Sequence, residues 1–222
     1  MNKSLQHRQT WGSHAPINRA LMETFNVTGV MELGMGWNST VVFNELAKYV
    51  VSVETDKQWI NELKAQGIVE TENHKIIHQQ TPHDIVRQTR RWNLSPSVLQ
   101  QLDQEAVTLW KSLLDDRLNM LFIDSISSLR YPALVELHSD FDIIVMHDYE
   151  LKRGHGRELH WANGAFECPD THVMFIDETY TVETAFMIRK NLITDKKIES
   201  LRSAHAVAVK DWAPQQAKFR IF

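Results

Sequence analysis

The sequence predicts an α/β fold, a Rossmann-like, mostly parallel sheet with helices on both faces. Short apolar runs alternate with longer segments of helical periodicity, which is typical of βαβ units. The chain has 222 residues, 43% of them apolar, so it is long enough to bury a full core. No repeat, low-complexity tract or Pro/Gly-rich linker divides it. We therefore predict one domain over residues 1–222, built on a seven-stranded sheet.

In the first half of the chain the apolar pattern changes repeatedly between strand and helix periodicity. Gly34 ends the first strand, and Gly67 is the predicted C-cap of the second helix. The predicted elements here are strands at 30–33, 50–53 and 75–78, with helices at 39–49 and 57–64.

A helical insertion at about 82–117 separates the third and fourth strands. Ser95 followed by Pro96 is a good helix start, and apolar residues then recur at steps of three and four. The insertion is either a packed crossover, which we favour, or a cap that offers an oligomer surface. A homo-oligomer is therefore left open.

The second half contains two continuous apolar runs of the buried parallel type, at 118–123 and 141–146. The runs at 172–176 and 184–188 flank a polar turn and predict a C-terminal antiparallel hairpin. A last alternation of apolar residues, at 204–209, predicts a further edge strand.

Net charge and cysteine content argue against several classes of protein. The formal net charge is -4, which argues against bulk electrostatic binding to nucleic acid or to an anionic membrane. The single cysteine, Cys168, excludes a disulfide framework and a zinc knuckle. No signal peptide and no membrane-length apolar run occurs. We expect a cytoplasmic protein that acts on a small molecule.

The most informative local pattern is the turn Gly34-Met35-Gly36-Trp37-Asn38-Ser39-Thr40, between a predicted strand and a predicted helix. Glycines there let the backbone approach a ligand, which then faces the N–H groups of the helix start. Glu54 follows twenty residues after Gly34, where a carboxylate can accept hydrogen bonds from both hydroxyls of a ribose. Ser39 replaces the third glycine of the dinucleotide fingerprint, which favours a nucleoside ligand without phosphates.

These residues resemble the motifs of class I S-adenosylmethionine-dependent methyltransferases. Residues 30–36, Val-Met-Glu-Leu-Gly-Met-Gly, look like the first motif of that family. The following Ser-Thr and the run Ser-Val-Glu-Thr-Asp-Lys-Gln-Trp at 52–59 are similar to one branch of it, as are later segments around Asp124, Arg130 and Asp148. The likeness extends over about residues 28–190.

The resemblance implies a role for each matching residue. Gly34 and Gly36 would pass under the methionine part of S-adenosyl-L-methionine, and Glu32 would reach its amino group directly or through water. Glu54 would hold the ribose, and Trp59 would either contact the ribose or adenine or belong to the core. The remaining candidates for cofactor binding are Ser39 in the first turn, Gln80 and Asp84 after the third strand, and Asp124.

Acidic residues follow the fourth and fifth strands, at Asp124 and at the pair His147-Asp148. Ligands of open α/β sheets bind beyond these strand ends, so the three side chains are expected to converge. They could hold Mg²⁺ or another divalent metal, as in some O-methyltransferases. Alternatively, His147 is a general base for the substrate, or the residues are structural. We predict methyl transfer to an oxygen of a small or sugar-like substrate.

Two competing functions are compatible with the same turn. A nucleotide-sugar or dinucleotide-dependent Rossmann enzyme would use it in a similar way, although the missing third glycine counts against this. A cofactor-binding protein without catalysis is the other. The loop at 151–160, with Lys152, Arg153 and Arg157, is either a basic wall that attracts an anionic substrate or a solvated surface loop. Nucleic acid is disfavoured by the acidic balance.

Overall fold

The computed structural model describes residues 12–80, 96–149, 168–180, 182–212 and 219–221. Its helices and strands alternate as βαβ units require. The helices are α1 (Ala15–Phe25), α2 (Ser39–Leu46), α3 (Lys57–Ala65), α4 (Pro96–Ser112), α5 (Ser127–Leu137) and α6 (Asp195–Trp212). The strands are β1 (Gly29–Leu33), β2 (Tyr49–Glu54), β3 (His74–His78), β4 (Met120–Ile123), β5 (Ile143–Met146), β6 (His172–Asp177), β7 (Thr184–Arg189) and β8 (Phe219–Ile221).

One sheet joins all eight described strands in the order β3-β2-β1-β4-β5-β7-β6-β8. The first five positions are parallel, and β7 then pairs antiparallel with both β5 and β6. This arrangement confirms the predicted Rossmann-like α/β class and the antiparallel C-terminal hairpin. The strand order reverses between β1 and β4, which creates a crevice at the carboxyl ends of these strands.

Alternating side chains of the strands bury two apolar layers, one on each face of the sheet. On one face Met31, Leu121 and Ile144 pack with residues of α4 and α5. On the other face Val30 and Phe122 pack with residues of α1, α2 and α6. Both faces are covered, so the parallel strands read as continuous apolar runs rather than as alternating ones.

The predicted edge strand at 204–209 is wrong, because these residues belong to α6. Buried positions in α6 are Leu201, His205, Ala208 and Val209, a helical spacing, whereas Val207 is 62% exposed. The alternation of alanine and valine imitated a strand, although alanine is the strongest helix former. The edge position is taken by β8, which pairs antiparallel with β6 and raises the seven predicted strands to eight.

The helical insertion packs as a crossover between β3 and β4, as we favoured. Leu102, Ala106 and Trp110 of α4 are buried against the sheet at steps of four residues. The Trp110 indole also donates a hydrogen bond to the Gln79 side chain, 2.9 Å away, just after β3. Residues 81–95 of the predicted insertion lie outside the described residues. Among the described helices, none has an apolar stretch long enough to cross a bilayer.

Helix α1 was covered by no prediction, and it lies against the sheet beside α6. Its first turn contains Pro16, whose fixed φ suits a helix start and whose missing N–H would be unpaired there in any case. Ile17, Ala20 and Leu21 are fully buried in the apolar layer on that face. The residues just before α1, Ser13 and His14, are thereby brought to the carboxyl ends of β4 and β5.

Candidate functional site at the strand ends

The strand register aligns the candidate residues in one row across the sheet. Leu33 pairs with both Val53 and Ile123, and Ile123 pairs in turn with Met146. The residues that follow these strand ends, Gly34, Asp124 and His147, therefore lie side by side, with Glu54 at the end of β2. Backbone bonds extend the register, for example from Asp124 N–H to Leu33 O at 2.7 Å.

Gly34 is required by the close approach of the β1 turn to β4. Its φ is +92°, in the left-handed region that favours glycine. A Cβ added there would lie 2.4 Å from the carbonyl oxygen of Asp124. The predicted turn is therefore formed with the backbone of the crevice packed tightly at its centre, at the point where the strand order reverses.

We expect Gly34→Ala to lower the free energy of unfolding by about 2–3 kcal/mol, because the positive φ and the contact with Asp124 act together. Gly67→Ala is the matched control: its φ is +102°, but no atom of the described residues lies within 4 Å of the added Cβ. The control is expected to cost about 1 kcal/mol from backbone strain alone. Urea unfolding of both variants tests this, and equal losses would contradict the role of the contact.

Glu54 is buried, and its carboxylate supports the turn. One oxygen accepts a hydrogen bond from Met35 N–H at 3.0 Å, and the other accepts from the N–H groups of Thr55 and Asp56 at 2.6 and 2.9 Å. Burial raises the pKa of Glu54, although these N–H donors oppose the increase. The oxygen that faces Met35 keeps acceptor capacity for a further donor, which is what a ribose hydroxyl would supply.

Trp59 lies half-buried on α3, where its indole N–H donates to Met35 O at 2.8 Å. Its ring packs against the apolar cluster that contains Met35 and Ile60, so it supports the turn from the outside. Asp56 caps α3 by accepting from the N–H groups of Gln58 and Trp59, which fixes the ring's position. A contact of Trp59 with the cofactor remains a prediction.

Glu32 has no exposed surface and lies in a polar network inside the sheet. Its carboxyl accepts hydrogen bonds from the hydroxyls of Thr40 and Ser52, at 2.9 and 2.6 Å, and the Ser52 hydroxyl lies 2.9 Å from His74 Nε2. Burial raises the pKa of Glu32 to about 8, against the opposing hydroxyl donors. These residues enclose the Glu32 carboxyl, and its predicted contact with the amino group of the cofactor, direct or through water, stays a prediction.

The other predicted cofactor residues occupy different positions around the crevice. Gly36 and Ser39 lie in the first turn, where Gly36 N–H donates to Thr40 Oγ1 at 3.1 Å. Ser39 is buried at the start of α2, and Gln80 is exposed after β3. Asp84 and the basic loop at 151–160 lie outside the described residues, so their predicted roles stay predictions.

Asp124, His147 and Asp148 come together as predicted, around a residue that the prediction did not assign to the site. Arg130 of α5 is 7% exposed and donates to Asp124 Oδ1 at 2.8 Å and to Asp148 Oδ2 at 3.1 Å. It also donates to the backbone oxygens of Ser125 and His147. The guanidinium already occupies one oxygen of each carboxylate, so these contacts do not support a divalent ion held between Asp124 and Asp148.

The buried His147 pairs with the part-buried Asp124, with Nδ1 and Oδ2 separated by 3.1 Å. Burial by itself lowers the pKa of His147, but the Asp124 carboxylate outweighs burial and raises it. Burial likewise acts to raise the pKa of Asp124, whereas His147 and Arg130 hold it well below its usual value. The pair with Asp124 therefore makes His147 harder to deprotonate than a free imidazole, which does not favour it as a free general base.

Two site residues had no signal in the sequence. Ser13 Oγ lies 3.1 Å from His147 Nε2, and the His14 ring lies 4.2 Å from the His147 ring, centroid to centroid, in an edge contact. His14 is 2% exposed, and burial, followed by the neighbouring His147, lowers its pKa. Neither residue stands in the sequence at a spacing typical of metal-binding motifs. They reach the site because α1 packs against the sheet.

No protein-family model and no curated protein matches this chain. Among solved structures, a methyltransferase-like protein from Silicibacter pomeroyi is 19% identical, with a TM-score of 0.47 and coverage of 86% of this chain and 93% of that one. An rRNA methylase from Streptococcus thermophilus is 12% identical, with a TM-score of 0.45 and coverage of 80% and 96%. Similarities at this level assign neither an activity nor a substrate to the chain.

Proposed function

We propose that the protein binds S-adenosylmethionine in the crevice beyond β1, β2 and β4 and transfers its methyl group to an oxygen of a small or sugar-like substrate. The observation that carries the proposal is the meeting of the Gly34 turn, Glu54 and Asp124 where the strand order reverses. Open α/β sheets bind their ligands at that point. Gly34, Glu54 and Asp124 also belong to the motifs that resemble class I methyltransferases.

The binding half of the proposal uses the backbone of the turn and one carboxylate. Glycine at position 34 lets the turn pack directly against the backbone of Asp124, and a Cβ at Gly36 would meet Ser39 Oγ at 3.2 Å. The turn is therefore compact, so a ligand can lie against its backbone. Three backbone N–H donors hold Glu54 in place, so its side chain loses little conformational entropy when a ribose binds. The sulfonium of the cofactor supplies an activated methyl group, so this chain has to align the acceptor and take up its proton.

Asp124 and Asp148 are the acidic groups that a substrate hydroxyl can reach, because each side chain is 25% exposed. His147 is only 3% exposed and its Nε2 faces Ser13, so it acts through Asp124. In this proposal Asp148 accepts the hydroxyl proton as the methyl group moves from sulfur to oxygen and releases it to solvent. Asp124 orients the hydroxyl, and Arg130 fixes both carboxylates.

Glu54→Gln tests the cofactor site. We expect it to weaken the binding of S-adenosylhomocysteine by about tenfold to a hundredfold, because a charged hydrogen bond to the ribose is lost. Isothermal titration calorimetry measures the effect. Glu62→Gln is the matched control, since Glu62 is an exposed residue of α3 and is expected to bind like the wild type. If the wild type did not bind S-adenosylhomocysteine at millimolar concentration, the proposal would be contradicted.

The same titration separates the competing functions. Tight binding of NAD or of a nucleotide sugar, without binding of S-adenosylhomocysteine, would favour the dinucleotide-type enzyme. Binding of S-adenosylhomocysteine together with production of it from S-adenosylmethionine and a panel of hydroxylated acceptors would support methyl transfer. Asp148→Asn should then slow turnover more than it weakens cofactor binding, because Asp148 is placed toward the acceptor.

A further inference from the structure

Two imidazoles and one carboxylate converge at the ends of β4 and β5. His14, Asp124 and His147 each offer one donor atom, and these atoms lie within 4.8 Å of one another. The three residues come from separate elements: the segment before α1, the end of β4 and the end of β5. Because the fold already holds these three side chains together, binding an ion would require little further loss of conformational entropy.

His14 provides an independent observation. It is 2% exposed, and neither of its ring nitrogens has a hydrogen-bond partner among the described residues. Its ring is enclosed by Phe122, 5.0 Å away, and by His147. A buried imidazole with both nitrogens unpaired is costly, and such groups are rare unless an ion, a water or a ligand meets them.

The other two proposed ligands, Asp124 and His147, each make a further contact with a neighbouring side chain, as metal ligands in proteins commonly do. Asp124 gives one oxygen to Arg130, and its other oxygen pairs with His147 Nδ1 through a proton that a bound metal ion displaces. The far nitrogen of His147, Nε2, lies against the Ser13 hydroxyl. Outer contacts of this kind fix the orientation of ligating carboxylates and the tautomer of ligating histidines.

We propose that His14, Asp124 and His147 form a binding site for a transition-metal dication of the Zn²⁺ type. Two imidazole nitrogens and one carboxylate oxygen suit Zn²⁺, whereas Mg²⁺ prefers oxygen ligands throughout. Three protein ligands leave a fourth position for water or for an oxygen of the substrate. The site differs from the predicted one because His14 takes the place of Asp148, and it does not rest on methyl transfer.

Metal binding is measured directly on the full chain after treatment with a chelator. We expect the wild type to bind one equivalent of Zn²⁺ in competition with a chromophoric chelator, and to give the visible absorption of tetrahedral Co²⁺ when Co²⁺ is added. His14→Leu should weaken Zn²⁺ binding at least about a hundredfold, since a ligand contributes more than an outer contact. Ser13→Ala should weaken it about tenfold through the loss of that outer contact.

Two controls make the result specific. His138→Leu removes a histidine outside the cluster and should leave Zn²⁺ binding unchanged, and Asp148→Asn should change it little. His14→Leu replaces an unpaired buried imidazole by an apolar group, so the metal-free variant should fold, and its Tm should lose the increase that Zn²⁺ gives the wild type. Equal binding by the wild type and His14→Leu would overturn the proposal. So would loss of binding in Asp148→Asn alone, which would place the ion between the carboxylates.

Discussion

Arg130→Met is expected to lower the free energy of unfolding by about 3 kcal/mol, because it removes the cation that the part-buried carboxylates of Asp124 and Asp148 share. The guanidinium donates to Asp124, to Asp148 and to the backbone oxygens of Ser125 and His147. Methionine retains much of the side-chain volume but none of these donors. Urea unfolding at neutral pH, followed by far-UV circular dichroism, measures the loss.

Lys111→Met is the matched control for Arg130→Met. Lys111 of α4 pairs with Glu136 of α5 at 3.1 Å, but both side chains are nearly half exposed. Exposed pairs of this kind contribute at most about 1 kcal/mol, so the control should remain close to the wild type. If the two variants lost the same stability, the cluster at the strand ends would not stabilise the fold in the way we infer.

Glu32→Gln is expected to remove a large pH dependence of stability. The pKa of Glu32 is about 8 in the folded chain and 4.5 in the unfolded reference, so the folded state binds more protons between these values. Unfolding then releases protons, and the free energy of unfolding falls as the pH rises. Between pH 5 and pH 8 the wild type should therefore lose about 3 kcal/mol relative to Glu32→Gln.

The measurement is a series of urea unfolding curves from pH 5 to pH 8 for the wild type and the variant. Glu62→Gln, which changes an exposed glutamate, serves as the control and should follow the wild type across the range. A constant stability difference between Glu32→Gln and the wild type would contradict a protonated buried carboxyl. Such a result would mean that the hydroxyls of Thr40 and Ser52 stabilise the ionised form despite burial.

Both predictions concern residues whose neighbours the sequence did not reveal. The strand β1 could be predicted from its continuous apolar run, and Glu32 stood out as its acidic member. That Glu32 faces Ser52 and Thr40 depends on the pairing of β1 with β2 and on the packing of α2. Similarly, the motif after β4 identified Asp124, whereas the position of Arg130 between two carboxylates depends on how α5 returns to the sheet.

Local patterns by themselves determined the α/β class, the parallel strands, the C-terminal hairpin and the turn at Gly34, because strand periodicity, glycine conformation and helix starts are properties of neighbouring residues. They misplaced the last strand at 204–209. The alternating alanines and valines there are compatible with both strand and helix periodicity, and only packing against the sheet determines which side chains are buried. Only the tertiary structure brought Ser13 and His147, 134 positions apart, into contact and placed His14 beside Asp124. Side-chain convergence over such separations is decided by packing and strand register, which single-residue preferences do not encode.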